Sequence, residues 1–458
     1  MEIIRLISQI LATVLGVLAA LMSIPIFLRL QWPAPVLWII KLFASALSPL
    51  FVVVGVLSVI VGLTTGSVFM SLTGMYVALF FFSHIYRITR PPDVSSGFEQ
   101  AFGLNWKNHI STEQKNYFLP SRTLLKLPSV PIPRIQQNIS FATIPRTDRQ
   151  LLCDIWQPST TITPSGLAFI YLHGSAWTLL DKDVGTRPFF SHLAAQGHVI
   201  MDVAYRLAPE TDMMGMVNDI KRAIVWMKEN AHTYGVNPNT IVVGGGSAGG
   251  HLALMAAYTA NNPQFTPKEL AEKDMSVCGV VSLYGPTDLE AMYYHTNQHL
   301  TTRVNAGSAK KAIPQMPEWL IKQMGKAYYR FKFKNFANAG TFAILFSGHP
   351  DECLEQYALF SPITHVDAHC PATIQIQGEH DLMASVKTTH FLHTRLVEKK
   401  VRAALHILPQ IDHAFDLILP RISPSAHTAI YDVERFLALQ IKNVKKVEGS
   451  SFQKLNIK

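Results

Sequence analysis

The sequence predicts an α/β chain: a mostly parallel, eight-stranded sheet with helices on both faces, preceded by a helical membrane region of about three spans. Three observations carry this. Before residue 91 the only charged residues are Glu2, Arg5, Arg29, Lys41, Arg87 and Arg90. From Ile139 onward, short apolar runs alternate with segments of helical length, the pattern of a parallel sheet covered on both sides. Around Ser247, an apolar β-branched run stops in a glycine cluster and resumes in helix formers.

The predicted spans fall at about 9–28, 42–63 and 68–86, each near the ~20 residues that cross a ~30 Å hydrocarbon core. Residues 3–30 have no small-residue cleavage site behind them, so they read as a span rather than a removable signal peptide. The chain is therefore expected to be an integral membrane protein. With the first connection taken to face away from the C-terminal domain, Arg5, Arg29 and Lys41 oppose Arg87, Arg90 and Lys107. That positive-inside count leaves orientation open. Cys153, Cys278, Cys353 and Cys370 are scattered without a C-x-x-C pair and read as reduced, which favours a cytoplasmic domain.

Residues 91–137 contain prolines and scattered aromatics and read as a linker packed along the membrane or the following domain. Residues 138–441 then form the α/β domain. Strands are predicted at 139–145, 149–156, 167–172, 198–204, 240–245, 277–283, 372–377 and 402–408. Helices are predicted at about 186–195, 213–233, 248–260, 385–399 and 425–441. The interval 286–360 breaks the alternation and reads as an insertion. Ligands of such sheets bind beyond the carboxyl ends of the strands, so the insertion lies near that face. Residues 442–458 form a basic tail.

The glycine turn carries G-x-S-x-G at Gly245, Ser247 and Gly249, the pattern of a nucleophile elbow. Such a turn exposes the Ser247 hydroxyl above the sheet and places the Ala248 N–H at a helix N-terminus, where it can stabilise an oxyanion. A phosphate loop would instead need Lys-Ser/Thr after the glycines, and the sequence has Gly250-His251. A nucleophilic serine requires a base and an orienting acid. Asp381 follows the seventh predicted strand as the acid, and His413 follows the eighth as the base, with Glu379, Asp412 and Asp416 as competing carboxylates. After the third strand, the N–H groups of Gly174 and Ser175 would join Ala248 in an oxyanion hole. His173 and Trp177 would support that loop. No cofactor or metal is expected, because His365, Asp367, His369 and Cys370 lack partners at zinc spacing.

These motifs together resemble the hormone-sensitive-lipase-like branch of the α/β-hydrolases. They are H-G-x-x-W at His173–Trp177, D-x-A-Y-R-L-A-P-E at Asp202–Glu210, G-G-S-A-G-G at Gly245–Gly250, Y-G-P at Tyr284–Pro286, G-x-x-D at Gly378–Asp381 and D-H-x-F at Asp412–Phe415. The resemblance covers residues 139–440 and implies carboxylesterase or lipase activity with Ser247, Asp381 and His413 as the triad. Two departures stand out. Ser175 replaces the family's second glycine, which leaves open whether its hydroxyl contributes to the oxyanion hole, and membrane spans stand where the family usually has an N-terminal cap. The H-G-x-A-W form with a membrane anchor also resembles prenylcysteine methylesterases. An acyltransferase and a catalytically silent scaffold are the remaining readings.

Between residues 303 and 334, eight basic residues stand against Glu318 alone. Within this segment Lys322, Lys326, Tyr328, Tyr329, Arg330, Phe331, Lys332, Phe333 and Lys334 interleave charge with aromatic rings. Such a pattern suits single-stranded nucleic acid or an anionic bilayer. In a chain already anchored, the bilayer is the expected partner, at roughly 1 kcal/mol per basic residue near the surface. No nucleic-acid partner is expected, and the substrate is expected to be an apolar ester.

Overall fold

The computed structural model describes residues 2–30, 34–297, 342, 345, 346 and 348–452. Lys322, Lys326 and Tyr328 to Lys334, read as membrane-contacting, lie outside the described residues.

The chain opens with helices α1 (Glu2–Phe27), α2 (Pro35–Ala46), α3 (Ser48–Thr65) and α4 (Val68–Ile88). Gln9–Phe27, Ser48–Thr65 and Val68–Ile88 are long and apolar enough to cross a membrane, and Leu18, Val53, Leu57, Leu79 and Phe82 point outward from them. The second predicted span, 42–63, starts too early. The helix breaks at Leu47 because Pro49 has no N–H to donate and its ring would meet the carbonyl of Ser45. Residues 35–46 thus become a separate short helix. The connection holding α2 does not face away from the C-terminal domain but lies against it. Arg29 pairs with Glu379 at 3.0 Å and Lys41 with Asp412 at 3.1 Å. The end of α4 returns to the same side, where the Thr428 hydroxyl donates to the Ile88 carbonyl at 3.3 Å.

The domain is built on a sheet of eight strands in the order β1-β2-β4-β3-β5-β6-β7-β8. They are β1 (Arg134–Thr143), β2 (Gln150–Gln157), β3 (Ala168–Leu172), β4 (Val199–Ala204), β5 (Ile241–Gly246), β6 (Gly279–Leu283), β7 (Ala372–Gly378) and β8 (Ala403–Leu408). Strand β2 runs antiparallel to both β1 and β4, and every other pairing is parallel. Strand β1 begins at Arg134, inside the stretch predicted as linker. It is an exposed edge strand with two register irregularities, so no apolar alternation announces it.

The covering helices are α5 (Arg187–Ala195), α6 (Met213–Glu229), α7 (Ala248–Tyr258), α8 (Leu289–Asn297), α9 (Pro350–Leu359), α10 (Val386–Glu398) and α11 (Pro424–Phe452). The last extends past the predicted end at 441 into the basic tail. Each central strand serves two cores because its side chains alternate between faces. Ile170 and Val243 pack with Ile220 of α6 and Leu252 and Met255 of α7. Phe169, Tyr171 and Val242 pack with Phe190 of α5 and Val433 and Phe436 of α11. Two-sided burial explains why these strands read as continuous apolar runs. Leu42 and Ile88, from α2 and α4, belong to the same buried cluster as Phe415 and Ile430.

Candidate active site

The turn from β5 into α7 places Ser247 at φ 54° and ψ −124°, a strained conformation for a side-chain-bearing residue. Close approach of β3 holds it there. A Cβ on Gly245 would sit 2.2 Å from the Leu172 carbonyl oxygen, and one on Gly249 would sit 2.0 Å from the same atom. Only hydrogen fits at either position. The Ser247 N–H donates to the Leu283 carbonyl at 2.9 Å, tying the turn to β6. Ala248 opens the first turn of α7.

The three residues predicted as a triad meet here. The Nε2 of His413 lies 2.8 Å from the Ser247 hydroxyl, and its Nδ1 lies 2.9 Å and 3.1 Å from the two carboxylate oxygens of Asp381. The carboxylate assigns the ring proton to Nδ1 and leaves the Nε2 lone pair for the serine proton. Asp381 cannot turn away. One oxygen accepts from the N–H groups of Met383 and Ala384, at 2.8 and 2.7 Å, and the other accepts from the Gln377 amide at 2.7 Å.

The competing carboxylates are occupied elsewhere. Glu379 takes Arg29 and the Gln410 N–H. Asp416 accepts from the Tyr284 hydroxyl, and burial pushes its carboxyl up to about 6. Asp412 accepts the His413 backbone N–H at 2.8 Å and the Leu382 N–H at 3.0 Å. The Tyr284 ring stands edge-on to the His413 imidazole, with centroids 4.7 Å apart.

Beside the serine runs the loop after β3. Gly174 is packed so closely that a Cβ there would touch the Ser247 side chain at 3.4 Å. The N–H groups of Gly174, Ser175 and Ala248 have no hydrogen-bond partner among the described residues. The Ser175 hydroxyl is engaged behind the loop: it lies 2.6 Å from the Tyr205 hydroxyl and accepts the Trp177 N–H at 2.9 Å. Tyr205 in turn donates to the His173 carbonyl at 2.8 Å. The positive φ angles of this loop fall on Ala176 and Trp177, at 44° and 60°, so no glycine is required at Ser175. His173 stacks on Tyr205 with centroids 4.5 Å apart, and burial lowers it to about 4, making it a neutral brace. The Trp177 indole donates to His251 Nδ1 at 3.2 Å, and His251 Nε2 donates to the Phe360 carbonyl at 2.7 Å.

Two residues of α2 join the site that sequence reasoning did not assign to it. The Trp38 indole donates to the His413 carbonyl at 3.1 Å. The Lys41 ammonium donates to Asp412 at 3.1 Å and to the Leu28 carbonyl at 2.7 Å, and lies 3.3 Å from His380 Nδ1. Burial acts against both charges, lowering the Lys41 pKa and raising that of Asp412, and each group's charge offsets the other's penalty. The available signal was a lone lysine inside an otherwise apolar stretch, which a span count treats as a flank. No group of His, Cys, Asp and Glu suited to a metal occurs among the described residues.

The serine turn after β5, Asp381 after β7 and His413 after β8, on a sheet whose second strand alone is antiparallel to both neighbours, decide the fold. The domain has the α/β-hydrolase fold. A family profile described as BD-FAE matches residues 153–329. The chain is similar to three proteins of Mycobacterium tuberculosis. One, named probable carboxylic ester hydrolase LipM, is 30% identical over 62% of this chain and 57% of its own length. Esterase LipC is 28% identical over 61% of each chain. Esterase LipQ is 28% identical over 69% of this chain and 68% of its own. The chain thus spans about three-fifths of the length of the first two.

Proposed function

We propose that the protein is a membrane-anchored serine hydrolase that cleaves carboxylic esters of apolar, lipid-like substrates. The observation that carries this is the unbroken hydrogen-bond chain Ser247–His413–Asp381 beneath free backbone donors. Ser247 Oγ attacks the acyl carbon while His413 Nε2 takes its proton. The N–H groups of Gly174, Ser175 and Ala248 receive the developing oxyanion, and each such donor is typically worth 10²–10³ in turnover. Collapse breaks the ester C–O bond, and the imidazolium returns the proton to the departing alkoxide. Water, activated by the same imidazole, then releases the acid from the acyl-enzyme. The names of the three relatives support ester hydrolysis. An apolar substrate is supported by α2, which contacts the His413 loop and exposes Val36 and Leu37 on its outer side.

The reading includes an orientation. If the three long helices cross a bilayer, the first connection and the α/β-hydrolase domain share one face. Arg29, Lys41, Arg87, Arg90 and Lys107 then stand on the domain side against Arg5 on the other, which favours a cytoplasmic domain.

A fluorophosphonate probe tests the chemistry. One adduct on Ser247 is expected in the wild type, with both labelling and esterase activity lost in Ser247→Ala. An unlabelled wild type, or equal labelling of the variant, would overturn the assignment. Product analysis with a competing lipid alcohol distinguishes hydrolysis from acyl transfer.

A further inference from the structure

We infer that α2 is part of the catalytic apparatus, with Lys41 as a positioning residue that holds the acid and base loops in register. The inference rests on the serine-hydrolase reading. Four observations point to it. Asp412 Oδ1 accepts the N–H of Leu382, next to the orienting acid, and the N–H of His413 itself. One carboxylate oxygen therefore sets the spacing between the loops after β7 and β8. That oxygen belongs to a buried carboxylate beside a second one, Asp381, whose charge opposes it. Two such neighbours do not both stay ionised without a cation.

Lys41 is that cation. Its three N–H donors match three neighbours, Asp412, the Leu28 carbonyl and His380 Nδ1. His380 is suited to accept, since burial, and after it the Lys41 charge, lowers it to about 4 and keeps the ring neutral. Trp38, one helical turn earlier, holds the His413 carbonyl. The base residue is thus gripped at both ends of its backbone: its N–H through Asp412 and Lys41, its C=O through Trp38. Arg29 adds an exposed pair to Glu379, whose other oxygen accepts the Gln410 N–H in the loop that leads to His413. A helix beside the bilayer surface therefore braces the base, and packing of the membrane region is coupled to turnover.

The test uses the full-length chain in detergent or liposomes, with turnover expressed per fluorophosphonate-reactive site at exhaustive labelling. Misplacement of a reacting group by about 1 Å costs on the order of 10²-fold. Lys41→Met is therefore expected to lower kcat on a short water-soluble ester by about 10- to 100-fold, with KM changed less than about threefold. Asp412→Asn alone is expected to lose kcat as well, because its amide faces the ammonium. The double variant Lys41→Met/Asp412→Asn should recover at least part of the loss, since asparagine keeps the acceptor for both N–H groups without the charge. Trp38→Phe preserves the ring and should lower kcat about threefold to tenfold; it carries the test if the lysine variant does not accumulate. Unchanged kcat per labelled site in Lys41→Met or Trp38→Phe, or a double variant no better than the worse single, would refute the inference. Failure of the wild type to label at Ser247 would instead refute the underlying function.

Discussion

At the scale of single residues, the site depends on how fully each polar atom is committed. Asp381 illustrates this. With its oxygens bound by the Met383 and Ala384 N–H groups and by the Gln377 amide, it has one orientation, and that orientation fixes the His413 tautomer. In Asp381→Asn, the remaining carbonyl oxygen must face the two backbone donors. The new NH₂ would then point at His413 Nδ1, favouring the tautomer with its proton on Nε2, where it cannot accept from Ser247, and the Gln377 amide would have to turn its oxygen toward the new donor. We expect kcat to fall by about 10³- to 10⁴-fold with KM nearly unchanged and the melting temperature within a few degrees, measured by ester hydrolysis and thermal unfolding. A loss smaller than tenfold would mean that another group orients the base. Ser247, Asp381 and His413 were legible in the sequence because each sits in a short local pattern at the end of a strand. Lys41 was not, since a lysine in an apolar run has the same local appearance whether it flanks a span or enters a protein interior.

At the scale of elements, the short helix α2 changes the meaning of the N-terminal region. Hydropathy distinguishes apolar from polar stretches but does not mark where one apolar helix ends and the next begins. Pro49 does so, through a missing donor and a steric clash. If the three long helices cross a bilayer, the odd number of crossings puts the first connection on the domain side, and Arg29 and Lys41 then count with Arg87, Arg90 and Lys107 rather than against them. For a cytoplasmic domain, Thr64→Cys in the last turn of α3 should react with an impermeant thiol reagent added to intact cells. Val94→Cys, just beyond α4, should react only after permeabilisation. Both positions are exposed in the structure. The opposite pattern would invert the topology.

At the scale of the whole molecule, several histidines are buried and kept neutral by the fold. Burial lowers His173, His251 and His380 to about 4 and His198 to about 3. The unfolded chain protonates these groups near 6.5, before the folded one does. Their effect on stability is therefore favourable above pH 6.5 and is lost progressively as the pH falls toward 4. Each fully buried ring contributes on the order of 3 kcal/mol to that loss. The melting temperature should thus decline across this window, and His198→Asn, distant from the serine, should make the decline shallower. A flat profile from pH 6.5 to 4.5 would contradict this account.

The sequence by itself determined the strand–helix alternation, the serine turn, the placing of Asp381 and His413 after the last two strands, and the three long apolar helices, because each is written in neighbouring residues through periodicity, glycine sterics or hydropathy. Only the tertiary structure decided which of four carboxylates meets His413, what the Ser175 hydroxyl does, where β1 begins, and that α2 belongs to the site. These outcomes depend on which groups arrive together from distant parts of the chain. Lys41 and Asp412 are separated by 371 residues, and no local pattern in either stretch records that one buried charge answers the other.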